Sequence, residues 1–495
     1  MLLTQACLIG LACSLTLDVT PPGTSLLNFT SAERYNITVT GTNFNTTGTV
    51  SNISFCDVQL YLTHGDAKDE VRVGVWLPLK GWNRRFLGTG GAGYQAGIFD
   101  PALAEGVAGG FATASTDAGV GSGGDPRGWA ASPQLVNNFV HLSVHEMTIV
   151  GKALATKFYG QKPTHSYWHG CSQGGRQGYV EAVRYPDDYD GISANAPAIN
   201  WDRLLPGFLW PYLQSLQTPF AACKLAYMTA ASISACDLLD GAKDGLIANP
   251  PDCKFDAGSL VGKEVAECQT GKTITAEEAA AWKRIQAGPK DEAGRPLYYG
   301  MEPGIDVSFV TLAPFSPAES WLQDFVLREP DFNMSSLTYK KYLETFAVSV
   351  KEFGSSWGSP SADLSQFRKR GGKLLTFHGW ADQTIPGKGT IEYWRRVGET
   401  MAKPGGPPGS SADHLVNAFY RLFIAPGVGH CANFGYGPGP MNLLESLVEW
   451  VERGKAPDTL FAAGFGQTRN LCHYPKKLKY KGKGKVEDAG SWACV

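Results

Sequence analysis

Between positions 71 and 77 the chain alternates, Val-Arg-Val-Gly-Val-Trp-Leu, which is the period of a half-buried strand. Arg85-Phe86-Leu87-Gly88 and Gly110-Phe111-Ala112-Thr113 read as short buried strands. Between them lies the glycine-rich run Thr89-Gly90-Gly91-Ala92-Gly93. From 140 to 158 the apolar positions recur at helical spacing, 164–168 is strand-like, 174–184 is helical again, and 191–194 is a further strand. Strand and helix therefore alternate, which predicts a mainly parallel sheet covered on both faces. The rhythm returns late, with strands at 373–378 and 418–425 around a helix at 390–397.

The stretch between these halves breaks the pattern. Positions 201–370 are rich in Pro, Trp, Phe and Tyr, hold four cysteines and show no strand-helix alternation. The predicted organisation is an α/β domain formed by 13–200 and 371–495, with 201–370 inserted as a cap over the carboxyl ends of the strands. The lysine-rich run 476–485 reads as a solvated loop.

Composition narrows the classes. At 495 residues, 43% hydrophobic and 18% charged, the chain is long and apolar enough for a large globular enzyme. A net charge of -2 gives no general reason to bind nucleic acid or an anionic membrane, so a small neutral or weakly acidic ligand is the expected partner. Positions 1–17 carry no charged side chain and contain Gly10-Leu11-Ala12, a small-x-small pattern that predicts a signal peptide over 1–12, with Cys13 as the first mature residue. No later stretch reaches the roughly 20 apolar residues needed to span a bilayer. Eleven cysteines and the sequons at Asn28, Asn36, Asn45, Asn52 and Asn333 agree with oxidative folding, glycosylation and an extracellular destination.

The chemistry centres on Gly170-Cys171-Ser172-Gln173-Gly174, a G-x-S-x-G elbow. A structural glycine turn would share the five-residue pattern, but here a strand precedes it and a helix follows it, which is the context a nucleophilic serine needs. In an α/β-hydrolase fold the remaining partners follow in the order acid, then histidine. His378-Gly379-Trp380-Ala381-Asp382 follows one late strand and Pro426-Gly427-Val428-Gly429-His430-Cys431 follows the next. Ser172, Asp382 and His430 are thus the expected triad. Cys171 precedes the nucleophile and Cys431 follows the base, so bringing Ser172 to His430 sets the two cysteines near disulfide distance.

These motifs, together with Gly174-Gly175-Arg176-Gln177-Gly178 and Arg184-Tyr185-Pro186-Asp187-Asp188-Tyr189-Asp190-Gly191, resemble the tannase and feruloyl esterase family over nearly the whole mature chain. The resemblance implies the same triad, the Cys171–Cys431 bridge and a cap over the site. It also implies the pairs Cys13–Cys56, Cys236–Cys253 and Cys472–Cys494, which leaves Cys223–Cys268 by elimination and Cys7 odd within the leader. By itself the acidic run 236–246 reads as a solvated turn. The resemblance instead implies a structural calcium there, held by the side chains of Asp237, Asp240 and Asp244 and the carbonyls of Ala242 and Leu246. An oxyanion hole is expected from the amide of Gln173 and one from the glycine loop, where the resemblance favours Gly91.

The expected reaction is hydrolysis through an acyl-enzyme, with no cofactor in the chemistry. The favoured substrate is a hydroxycinnamoyl ester such as a feruloyl group on plant cell-wall polysaccharide. A tannase acting on galloyl esters is the alternative, and a catalytically silent binding protein is a third reading. Trp201, Phe208, Trp210, Tyr212 and Phe220 are the aromatics available to stack on a phenolic ring.

Overall fold

The computed structural model describes residues 13–43, 46–358, 360–402, 412–432 and 434–495. The predicted leader, Cys7 and Asn45 lie outside them. The strands are β1 (Thr24–Asn43), β2 (Thr46–His64), β3 (Val71–Pro78), β4 (Arg85–Thr89), β5 (Ala112–Thr116), β6 (His165–Cys171), β7 (Gly191–Asn195), β8 (Lys373–Gly379) and β9 (Tyr420–Ala425). They form one sheet in the order β1-β2-β3-β5-β4-β6-β7-β8-β9. Pairing is antiparallel from β1 to β5 across β2 and β3, and parallel from β5 through β4 to β9.

The parallel strands are largely buried on both faces, so apolar and small residues fill them. Phe86, Trp168, Leu374 and Leu422 pack under the helices Ser143–Tyr159, Gln173–Arg184 and Gly387–Met401. Their chain neighbours Leu87, Tyr167, Leu375 and Phe423 face the opposite layer, against Leu447 and Trp450 of the helix Leu443–Arg453. The strand expected from position 110 begins at Ala112. Gly110, at φ 79°, and Phe111 instead close the C-terminus of the helix Asp100–Ala108, with N–H bonds to the carbonyls of Val107 and Gly106.

The β1–β2 hairpin had no counterpart in the sequence pattern. β1 is exposed along most of its length, so no buried face imposes an alternation on its sequence. The inner part of β2 does alternate, with Cys56, Val58, Leu60 and Leu62 buried. Between β7 and β8 the described chain is helical or irregular and contains no named strand. This segment builds its own core, in which Trp282, Trp321, Tyr342 and Trp357 are buried with Phe139 and Tyr94 from the first half of the chain. Disulfides join Cys13–Cys56, Cys171–Cys431, Cys223–Cys268, Cys236–Cys253 and Cys472–Cys494. Among the described residues no helix is long and apolar enough to cross a membrane.

Candidate active site

β6 runs straight into the helix Gln173–Arg184, and Ser172 is the single residue between them. Its φ of 61° and ψ of -119° lie outside the regions open to ordinary L-residues, a strain of about 1–3 kcal/mol that the surroundings must hold. They do so through two backbone bonds: the Ser172 N–H donates to the Asn195 carbonyl at 3.0 Å, and the Ala198 N–H donates to the Ser172 carbonyl at 2.9 Å. The flanking glycines have a steric role, since a Cβ on Gly170 would stand 2.5 Å from the Gly174 carbonyl.

Asp382 and His430 leave the sheet from the ends of β8 and β9. Asp382 is buried, and its Oδ1 accepts the N–H and hydroxyl of Thr384, each at 2.9 Å, and the N–H of Ile385 at 2.8 Å. Its Oδ2 lies 2.9 Å from His430 Nδ1 and 3.3 Å from His378 Nε2. Burial by itself would raise this carboxyl, but the facing His430 charge and the bonds from both histidines outweigh it, so the group is held far below the usual carboxylate range. The His430 N–H in turn donates to Gln383 Oε1 at 3.2 Å. With Nδ1 engaged by Asp382, Nε2 is the ring atom left for exchange with a serine hydroxyl.

The Cys171–Cys431 disulfide, with Cα atoms 6.0 Å apart, draws the elbow and the histidine loop together. Ser172, Gln173 and His430 line one cavity of about 400 Å³. Its walls are mostly apolar: Trp201, Leu204, Leu205 and Phe208 come from one face of the helix Trp201–Gln217, joined by Phe315, Pro317, Ile98 and Ile385. Thr42, at the far end of β1, completes the lining. Of the five expected aromatics, Trp201 and Phe208 reach this cavity. Trp210 points elsewhere and donates its indole N–H to the Arg284 carbonyl, and neither Tyr212 nor Phe220 lines the cavity.

The glycine loop departs from the expected oxyanion arrangement. The Gly91 N–H is already donated to Gln177 Oε1 at 3.1 Å, and the Gly90 N–H to the His169 carbonyl at 3.1 Å. Gly91 is a packing position instead, where a Cβ would fall 2.0 Å from the Gln95 carbonyl oxygen. Ala92 and Gly93 are the loop residues that line the cavity beside Gln173. Gln173 begins its helix, so its N–H has no partner within that helix.

The acidic loop is drawn tight by its own amides. Asp237 Oδ1 accepts from the N–H groups of Asp244 and Gly245 at 3.0 Å each, and Asp240 Oδ1 accepts from Ala242 at 3.0 Å. Asp244 accepts from Leu246 at 3.1 Å and pairs with the buried Arg469. Burial, followed by the neighbouring Asp244 and Asp237 carboxylates, pushes Asp240 up to about 6. Three carboxylates therefore face one cation, a charge excess that suits a divalent ion bound by oxygen. Among the described residues no three His, Cys, Asp or Glu side chains form a group that could hold a metal ion on their own.

Sequence reasoning gave no role to His378, Gln383, Thr384, Arg176 or Gln177, although all lie within or beside the quoted motifs. Their contacts depend on how the loops fold back, which no spacing rule encodes.

The tannase and feruloyl esterase family description matches residues 56–495. The chain belongs to this family. The tannase and feruloyl esterase fold is matched by the crystal structure of feruloyl esterase B from Aspergillus oryzae, at TM-score 0.83 and 27% identity over 96% of this chain and 98% of that one. Tannin acyl hydrolase from Aspergillus niger is similar at TM-score 0.84 and 27% identity, over 96% of this chain and 92% of that one. In sequence, a probable feruloyl esterase of Arthroderma benhamiae is 39% identical over 90% of this chain and 86% of its own length. Membership makes the chain a carboxylic ester hydrolase, and the reading as a catalytically silent binding protein is set aside.

Proposed function

We propose that the protein is a secreted serine esterase that releases hydroxycinnamic acids, such as ferulic acid, from esters on plant cell-wall polysaccharide. Ser172, Asp382 and His430 are its triad. The observation that carries the reading is the 2.9 Å contact of His430 with a deeply ionised Asp382, in the cavity that also holds the strained Ser172 elbow. His430 Nε2 takes the Ser172 proton as the hydroxyl attacks the ester carbonyl, and the tetrahedral oxyanion is met by the amides of Gln173 and Ala92. His430 then protonates the leaving alcohol. Water, activated by the same imidazole, frees the acid from Ser172.

The cavity wall favours a hydroxycinnamoyl over a galloyl group. Trp201, Leu204, Leu205 and Phe208 suit a planar, largely apolar acyl chain, whereas the more hydroxylated galloyl ring would set more polar surface against them. The feruloyl-esterase names of the similar fungal proteins agree with this. The segment 201–370 acts as the cap, and calcium in the loop of Asp237, Asp240 and Asp244 is structural. Secretion is supported by five disulfides and by the exposed sequon asparagines Asn28, Asn36, Asn52 and Asn333.

The test compares kcat/KM for methyl ferulate and methyl gallate in the wild type and in Ser172→Ala, with fluorophosphonate labelling and peptide mapping. Faster turnover of the ferulate and a label on Ser172 are expected. Preference for the gallate would make the protein a tannase, and a label on another residue would overturn the triad.

A further inference from the structure

Arg176 lies one helical turn beyond Ser172, and its N–H donates to the Ser172 carbonyl at 3.0 Å. Its guanidinium is almost fully buried, yet among the described residues it meets no carboxylate. Nε donates to Gln173 Oε1 at 2.7 Å, Nη1 to the Val140 carbonyl at 2.8 Å and Nη2 to the Phe139 carbonyl at 3.1 Å. The charge also lies 5.6 Å from the Phe139 ring, 5.8 Å from Trp201 and 6.0 Å from Trp357. Burying a cation without a counter-ion is costly, and hydrogen bonds to neutral oxygens and ring faces offset only part of that cost. A structural role would be met more cheaply by an apolar side chain in the same aromatic cluster. Burial lowers the guanidinium to about 9, so it remains a cation at neutral pH.

We infer that Arg176 is a positioning residue for the transition state: it clamps Gln173, whose amide meets the oxyanion, and supplies a fixed positive charge behind it. The inference rests on Ser172 being the nucleophile. The helix Gln173–Arg184 already directs its positive end at the site, and Arg176 adds a full charge in its first turn. With the solvent excluded and a counter-ion absent, that charge is screened by neither, so it acts on the negative charge that develops on the carbonyl oxygen. A neutral ground-state ester gains little from it, which makes the contribution differential.

The experiment uses the full-length enzyme as wild type, Arg176→Met and Arg176→Lys. For each, kcat and KM on methyl ferulate are measured, together with the affinities of an arylboronic acid, which becomes a tetrahedral anion on Ser172, and of a neutral aryl amide. In Arg176→Met, kcat and boronate affinity are expected to fall together, on the order of tenfold to a hundredfold, with KM and amide affinity within about twofold of wild type. Arg176→Lys keeps a charge but carries its donors on one nitrogen, which does not reproduce the spread of the guanidinium fork over Gln173, Val140 and Phe139, and a smaller parallel loss is expected. Wild-type kcat and boronate affinity in either folded variant would overturn the inference, as would an equal loss of amide affinity. If Arg176→Met does not fold, Arg176→Lys decides by the same criteria. Fluorophosphonate labelling of the wild type separately tests the nucleophile.

Discussion

Cys171 and Cys431 are bonded to each other across 260 residues of chain, and each is also the covalent neighbour of a member of the proposed triad. The bond therefore joins the turn that presents Ser172 to the loop that presents His430. Closing so long a loop contributes about 5 kcal/mol in the chain-entropy model, with measured gains often smaller. Cys171→Ala with Cys431→Ala is expected to lose activity beyond its loss of stability. The check is kcat measured well below the variant's own melting temperature. Near-wild-type turnover would show that packing alone aligns the triad.

Asp382 accepts five hydrogen-bond donors or histidine contacts with two oxygens, so an amide in its place must turn an NH2 toward one set of them. Asp382→Asn is expected to lower kcat by roughly 10³- to 10⁴-fold. Because its carboxyl is depressed in the folded state, Asp382 contributes stability above the unfolded value of about 4, and that contribution is lost as pH falls further toward the depressed value. The melting temperatures of wild type and Asp382→Asn should therefore converge below about pH 4. A gap that stays constant down to pH 2 would contradict the depressed carboxyl.

Gly91 and Gly93 separate space from conformation in the same loop. A Cβ at Gly91 strikes the backbone of Gln95 and Ala96, whereas one at Gly93 meets nothing within 4 Å and adds only the strain of φ 55°. Gly91→Ala should displace the loop and lower kcat by about 10²-fold or more, as loss of an oxyanion donor does. Gly93→Ala should cost about 1–2 kcal/mol of stability with a smaller effect on kcat. Chemical denaturation and steady-state rates on both variants read the contrast directly.

Calcium at Asp237, Asp240 and Asp244 would bind the folded loop and not the unfolded chain. Exhaustive chelation is expected to lower the melting temperature while initial rates at low temperature change little, and added calcium should restore it. An unchanged melting temperature would remove the site.

The sequence alone determined the parts of this protein that depend on local order. Alternation marked β3, and short, largely buried runs flanked by helical periods marked β4, β6, β7, β8 and β9, because a strand buried on both faces leaves little choice of side chain. The elbow was legible since Gly170 and Gly174 are demanded by backbone contacts within five residues. Asp382 and His430 were legible because each follows its strand directly, and chain order fixes which end of the sheet they reach.

Contacts between segments distant in the chain came from the packing of the whole fold. The β1–β2 hairpin escaped detection because an exposed strand needs no hydrophobic period. That Gly91 spends its amide on Gln177 depends on the distance between a loop and a helix separated by 86 positions. Trp201 and Phe208 were indistinguishable from Trp210 in composition, and only the packing of their helix turned the first two toward Ser172. Arg176 reads as one more polar residue in a motif until folding encloses it among Phe139, Trp201 and Trp357. A sequence specifies the chemistry each residue can offer. Which groups meet, and which are left unpaired, follows from long-range packing and is set by the fold as a whole.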